Sequence, residues 1–247
     1  MGSLVNGMAL HGGYRPFCAT LFVFTDYMRP AMRLAALMKL PIIYILTHDS
    51  IYLGGDGPTH QPVEHLMALR IIPNLFVLRP GDPEEAVEAW RIAMERLEGP
   101  TAMVLSRQKL AVYEKADPSW RRTIRRGAYV VQDTEGTPDV TLVATGSEVG
   151  LALEAARIAS EYRVRVVSML SKEAFLAQEQ EFQDSIIPPE SKTITAEAGV
   201  TWGWEVFTHG RRQDTFGLNH FGASGRGDEV AEHFGFTAQA LAERIRS

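Results

Sequence analysis

The feature that most constrains this chain is a repeated alternation of strand-length apolar runs with amphipathic, helix-length segments. Pro16 to Val23 reads as a strand, and Asp26 to Leu40 as a helix stopped by Pro41. Pro41 to Leu46 is a second strand, and Pro62 to Leu69 a short helix with proline at a permitted first position. Asn74 to Leu78 and Thr101 to Leu105 are further strands. Between them Asp82, with Pro83 next and Glu85 three residues on, caps a helix reaching about Leu97. Later, Val140 to Ala144, Val164 to Ser168 and Lys192 to Ala196 read as strands. Thr145-Gly-Ser-Glu148 reads as a capping box opening a helix through about Glu161, and Thr237 to Ile245 as a closing helix. Alternation of this kind implies mostly parallel sheets covered on both faces. The expected fold class is α/β, with two consecutive α/β domains. The first spans residues 1–112 and the second 138–247, joined over 113–137 by a linker and the next domain's first strand.

The densest chemistry lies between Thr47 and Pro62, in Thr-His-Asp-Ser-Ile-Tyr-Leu-Gly-Gly-Asp-Gly-Pro-Thr-His-Gln-Pro. It follows a β-branched apolar run, so polar and titratable groups begin where a buried strand ends. Ligands of α/β sheets sit at such carboxyl ends. Gly54, Gly55, Gly57 and Pro58 forbid a regular helix there and let backbone approach a ligand closely. His48, Asp56 and His60 thereby come within reach of one small polar molecule. A metal is not expected. His60-Gln-Pro-Val-Glu-His65 has the wrong spacing for either order of the zinc-protease motif, and no cysteine is near.

Composition narrows the function classes. Hydrophobic residues make up 45% of the 247 and charged ones 22%, as in water-soluble globular proteins. The net charge of −5 does not favour nucleic acid. A single cysteine, Cys18, excludes an internal disulfide and fits a reducing compartment. The apolar runs are too short for a membrane span. Met1-Gly-Ser-Leu-Val-Asn-Gly lacks the basic and apolar regions of a signal peptide, so a cytoplasmic protein is expected.

Tyr113-Glu-Lys-Ala-Asp-Pro-Ser-Trp-Arg-Arg and the following Arg125 and Arg126 read as a solvated linker. An anionic partner for Arg121, Arg122, Arg125 and Arg126 is the weaker reading, because no aromatic residues interleave them. Phe221-Gly-Ala-Ser-Gly-Arg-Gly227 is glycine-rich but carries no Walker lysine and no dinucleotide fingerprint, which leaves backbone geometry as its use.

Taken together these motifs resemble one family. Leu10-His-Gly-Gly13, Phe24-Thr-Asp-Tyr-Met-Arg-Pro30, Arg33-Leu-Ala-Ala-Leu-Met38, the Thr47–Pro62 loop and Leu105-Ser-Arg-Gln108 look like the pyrimidine-binding domain of transketolase. Val167-Ser-Met, Glu197-Ala-Gly, Phe221-Gly-Ala-Ser and Glu232-His-Phe-Gly-Phe resemble its C-terminal domain. The resemblance implies thiamine-diphosphate-dependent transfer of a two-carbon ketol unit between sugar phosphates. It implies that Leu21, Phe24 and Tyr27 line the cofactor's aminopyrimidine, and that Arg107 holds the substrate phosphate. His48 would sit near the sugar phosphates, Asp56 would bind the donor's α-hydroxyl, and His60 would be a candidate for proton transfer. The chemistry agrees. Arginine offers phosphate a planar fork, a fixed carboxylate rejects epimers, and imidazole relays protons near neutral pH.

Two departures from the family pattern stand out. The family carries an N-terminal domain that holds the diphosphate through a Mg or Ca ion, and a glutamate that bonds pyrimidine N1′. Neither matches any residue here, and the first strand of the pyrimidine domain is expected to be missing with them. In addition, Thr20-Leu21-Phe22-Val-Phe24 inverts the usual Thr-Phe-Leu order, which places Leu21 in the pocket and Phe22 on the strand's other side. Two functions therefore remain open. One is the C-terminal part of a split or truncated transketolase, inactive alone and dependent on an N-terminal domain or subunit, as a homodimer or hetero-oligomer. The other is a catalytically silent remnant with a binding or assembly role.

Overall fold

In the computed structural model, which describes residues 1–247, the apolar runs form two sheets. The first is wholly parallel, in the order β1 (Phe17–Leu21), β2 (Ile43–Thr47), β4 (Thr101–Leu105), β3 (Phe76–Leu78). Its helices are α1 (Gly2–His11), α2 (Thr25–Leu37), α3 (His65–Arg70) and α4 (Pro83–Glu95). A short α5 (Trp120–Thr123) leads into the second sheet, ordered β5 (Ala128–Gln132), β7 (Val164–Met169), β6 (Val140–Ala144), β8 (Lys192–Ala196), β9 (Thr215–Phe216). Only β5 runs antiparallel. Helices α6 (Glu148–Ile158), α7 (Lys172–Leu176), α8 (Gln180–Ile186), α9 (Gly227–His233) and α10 (Ala238–Arg246) complete it. The α/β class with mostly parallel sheets is as expected, and no helix is long and apolar enough to cross a membrane.

Alternation along each strand divides the core. On β2, Tyr44 and Leu46 face an 18-residue cluster with Phe22, Met32 and Leu66, while Ile43 faces the opposite way. That opposite face is not private to the first sheet. Ile43, Leu78 and Met103 belong to one 32-residue cluster with Leu142, Ala144, Val166 and Ala196 of the second sheet. The two sheets thus share their largest core.

Polar contacts reinforce this seam. Arg79, fully buried just after β3, donates to Asp49 through Nε (3.0 Å) and Nη2 (2.7 Å). Its Nη1 reaches the Thr145 carbonyl (2.8 Å) and the Glu148 carboxylate of the second unit. Burial works against the Arg79 charge, but Glu148 and Asp49 outweigh it and hold the guanidinium firmly protonated. Nearby Arg70 pairs with buried Glu197 at 2.8 Å, and the Trp204 indole donates to the same carboxylate.

Several element boundaries differ from expectation, each for a local reason. The first strand stops at Leu21, and Phe22–Phe24 turn as one 3₁₀ unit into α2. Helix α3 begins at His65 rather than Pro62. The chain before it is held out of helix because Gln61 Nε2 donates to the Gly54 and Ala223 carbonyls and the Val200 N–H donates to Val63. Asp82 caps α4 as expected, accepting the Glu85 N–H at 2.8 Å. The Thr145–Glu148 capping box does not form: α6 starts at Glu148 without a side-chain cap, because that carboxylate is taken by Arg79 and the Ala198 N–H. The stretch 113–126 is less solvated than expected. Tyr113 and Lys115 bond the first turns of α4, Trp120 is buried, and Arg121, Arg125 and Arg126 pair with Glu84, Glu95 and Glu179.

Candidate active site

Parallel register brings three carboxyl ends side by side. Leu21, Thr47 and Leu105 are direct partners across β1, β2 and β4. The outer two lie two strand spacings, about 10 Å, apart. From this edge the chain continues into Phe24 and Tyr27, into His48, and into Arg107, so residues 83 positions apart converge at one rim.

Each branch then has its own geometry. Phe24, half-buried, meets Tyr27 at a ring-centroid distance of 6.2 Å and His60 edge-on at 5.7 Å. Tyr27 is 85% exposed at the start of α2. Phe24 and Tyr27, with Met1, Thr20 and Met28, line a hollow of about 240 Å³. Leu21 is half-buried beside it but does not line it, and Thr20 does. Phe22 is fully buried against His65, at 5.6 Å between rings, because the strand has already ended there. Arg107 is exposed, without a carboxylate partner, and borders a second hollow of about 590 Å³ with Gly54, Gly55 and Arg226.

The Thr47–Pro62 loop is built tightly. His48 adopts φ +65°, a left-handed conformation that costs a non-glycine residue strain. The adjacent Asp49, locked by two Arg79 bonds, offsets it. The Gly57 N–H donates to Gly54 and the His60 N–H to Gly57, both at 3.0 Å, which coils the loop so that Asp56 stands exposed. His48 Nδ1 and His60 Nδ1 each lie 2.9 Å from the hydroxyl of the preceding threonine. Each ring is thereby oriented with Nε2 left for a ligand.

The glycine-rich 221–227 loop of the second unit presses against this one. A Cβ on Gly227 would come within 2.7 Å of the Tyr52 carbonyl, and one on Gly57 (φ +78°) within 2.5 Å of Ser224 Oγ. Its glycines serve close backbone approach, at the rear of the site loop. Sequence reasoning did not identify that contact, the Asp49–Arg79–Glu148 link or the Asp26–His65 pairing, since each joins segments remote in sequence.

The profile described as "Transketolase, pyrimidine binding domain" matches residues 1–112, and that described as "Transketolase-like TK C-terminal domain" matches residues 127–237. The chain belongs to the transketolase family. A transketolase of Treponema pallidum is 54% identical over 246 residues, which cover 99% of this chain and 37% of that protein. The chain thus spans little more than a third of the length of this curated relative. Among solved structures, a Pichia stipitis transketolase in complex with sedoheptulose-7-phosphate superposes with a TM-score of 0.92 at 37% identity. The match covers all of this chain and 36% of that one. A split-gene transketolase, described as an inactive β4 tetramer, matches 99% of this chain and 79% of its own with a TM-score of 0.76. At 22% identity it supports the fold alone. A pyrimidine-binding domain of transketolase implies use of thiamine diphosphate.

Proposed function

We propose that this chain contributes the pyrimidine-facing and sugar-phosphate-facing part of a transketolase, which moves a two-carbon ketol unit between phosphorylated sugars. Phe24 and Tyr27 present flat apolar faces to the aminopyrimidine, with Leu21 behind them, in a hollow whose size and lining suit one heteroaromatic ring. Bound thiamine diphosphate supplies the electron sink for the two-carbon carbanion. Arg107 clamps the substrate phosphate, and Asp56 accepts the donor's hydroxyl and so selects its configuration. His60, edge-on to Phe24, holds or moves a proton beside the reacting carbon, and His48 steadies the sugar phosphate. The diphosphate and its Mg or Ca ion belong to a complementary N-terminal domain or subunit, since the hollow beside Phe24 and Tyr27 carries no basic or carboxylate side chain.

On this reading residues 1–112 and 138–247 are the two functional domains, and 113–137 are the linker with the first strand of the second domain. The assembly is a cytoplasmic homodimer or hetero-oligomer of the pentose phosphate pathway, without nucleic acid or membrane partners. The observation that carries the reading is the alignment of Leu21, Thr47 and Leu105, from which the segments bearing Phe24 and Tyr27, His48, and Arg107 leave side by side. Calorimetry with thiamine diphosphate and Mg²⁺, with a diphosphate-binding transketolase domain supplied, tests it. Phe24→Ala should weaken cofactor binding by about 0.5–1.5 kcal/mol, roughly two- to tenfold. Unchanged affinity would remove Phe24 from the cofactor site.

A further inference from the structure

Helix α2 and the turn into α3 place three metal-type ligands together although 38 residues separate the first from the next. Asp26 and Glu64 are exposed, whereas the His65 side chain is only 5% exposed. Both His65 ring nitrogens are buried without a hydrogen-bond partner. Buried polar atoms in native folds are nearly always satisfied, so this ring calls for an occupant. Each nitrogen already faces a carboxylate oxygen: Nε2 lies 3.3 Å from Asp26 Oδ2, and Nδ1 lies 3.6 Å from Glu64 Oε2. One ligand atom from each of the three residues falls within 4.8 Å of the others.

We propose that Asp26 and His65 Nε2 bind a divalent transition-metal ion of the Zn²⁺ or Co²⁺ class, with Glu64 holding the ring from Nδ1. With metal–ligand bonds of about 2.1 Å, a 3.3 Å separation of two ligand atoms subtends about 105°, near the tetrahedral value. On metal binding Glu64 would close from 3.6 Å to accept the Nδ1 N–H, which fixes the tautomer and raises the imidazole's basicity, the usual role of a carboxylate behind a metal-bound histidine. One imidazole with one carboxylate suits zinc or cobalt better than Mg²⁺ or Ca²⁺, which prefer all-oxygen shells. The exposed carboxylates open the site to solvent, and water completes the coordination. The ion would tie the first turn of α2, which carries Tyr27, to the start of α3. That would stiffen one wall of the aromatic hollow. The site stands independently of the proposed activity, since it involves none of the cofactor's phosphate chemistry.

The test is titration of the tag-free 247-residue chain with Co²⁺ in excess Mg²⁺, without thiamine diphosphate, read by visible absorption and by imidazole ¹⁵N NMR. One saturable equivalent is expected, with the His65 Nε2 resonance perturbed. Asp26→Asn and His65→Gln should each abolish it, and Glu64→Gln should weaken it by about 10- to 100-fold. Asp26 is exposed, so its variant tests the site even where the His65 variant fails to fold. Absence of saturable binding would overturn the proposal. So would binding that persists in Asp26→Asn, or a His65 that responds to pH but to no metal.

Discussion

His48 and His60 share one device: a threonine hydroxyl at the preceding position holds Nδ1, so the ring's free nitrogen points where the loop aims it. Asp56 and Arg107 lack such restraints and stand exposed. The roles proposed for them differ, and so should their variants. In a reconstituted enzyme Asp56→Ala should chiefly relax discrimination between donor epimers. Arg107→Ala should raise KM for phosphorylated sugars more than for unphosphorylated ones. Equal losses on both substrate kinds would count against the phosphate clamp. His48, Asp56 and His60 stand out in the sequence because glycines, polar groups and a strand end coincide there, whereas Arg107 is singled out only by the family resemblance. The pairing of His65 with Asp26 was not legible. A buried histidine's partners are set by how α2 meets α3, and no local spacing encodes that.

At the scale of elements, what positions the site is the second unit's grip on the loop after β2. Asp49 reads as one more polar loop residue in the sequence, yet it is buried and anchored by Arg79, which Glu148 anchors in turn. The same link explains the absent capping box: Glu148 suits both a cap and an ion pair, and the buried cation takes it. Arg79→Met should therefore lower stability by about 3–5 kcal/mol, since it strands two buried carboxylates. Urea unfolding checks this, and a loss below about 1 kcal/mol would mean the link is expendable. A third buried carboxylate, Glu85, gives a pH signature. Burial raises the Glu85 carboxyl, against the opposing bonds from Tyr113, Gly81 and Tyr129. The folded state therefore binds this proton more tightly than the unfolded one. Its stabilising share is full below the ordinary glutamate value of about 4.3 and is lost as pH rises through the raised folded value. Compared with Glu85→Gln, the native chain should lose relative stability as pH rises. Unfolding free energies that differ by a constant across pH would contradict this.

For the whole molecule, the shared 32-residue core matters more than the division into two sheets. Strand-and-helix alternation made both sheets readable, but not that they bury a common face, because periodicity reports that a face is apolar and not what covers it. A shared core joined by fully buried ion pairs should unfold as one unit. Calorimetry should show a single transition with matching van't Hoff and calorimetric enthalpies, and two separated transitions would show independent halves. On the proposed function, activity rests on complementation, with the pyrimidine-facing groups assigned to this chain and the diphosphate-binding groups to another domain. The most direct measurement is turnover of xylulose 5-phosphate with ribose 5-phosphate by residues 1–247, alone and mixed with a diphosphate-binding transketolase domain. No turnover is expected from the chain alone, turnover is expected from the mixture, and His60→Ala should abolish it. Turnover by the isolated chain free of host enzyme, or a mixture that assembles and binds cofactor yet stays inactive, would contradict this.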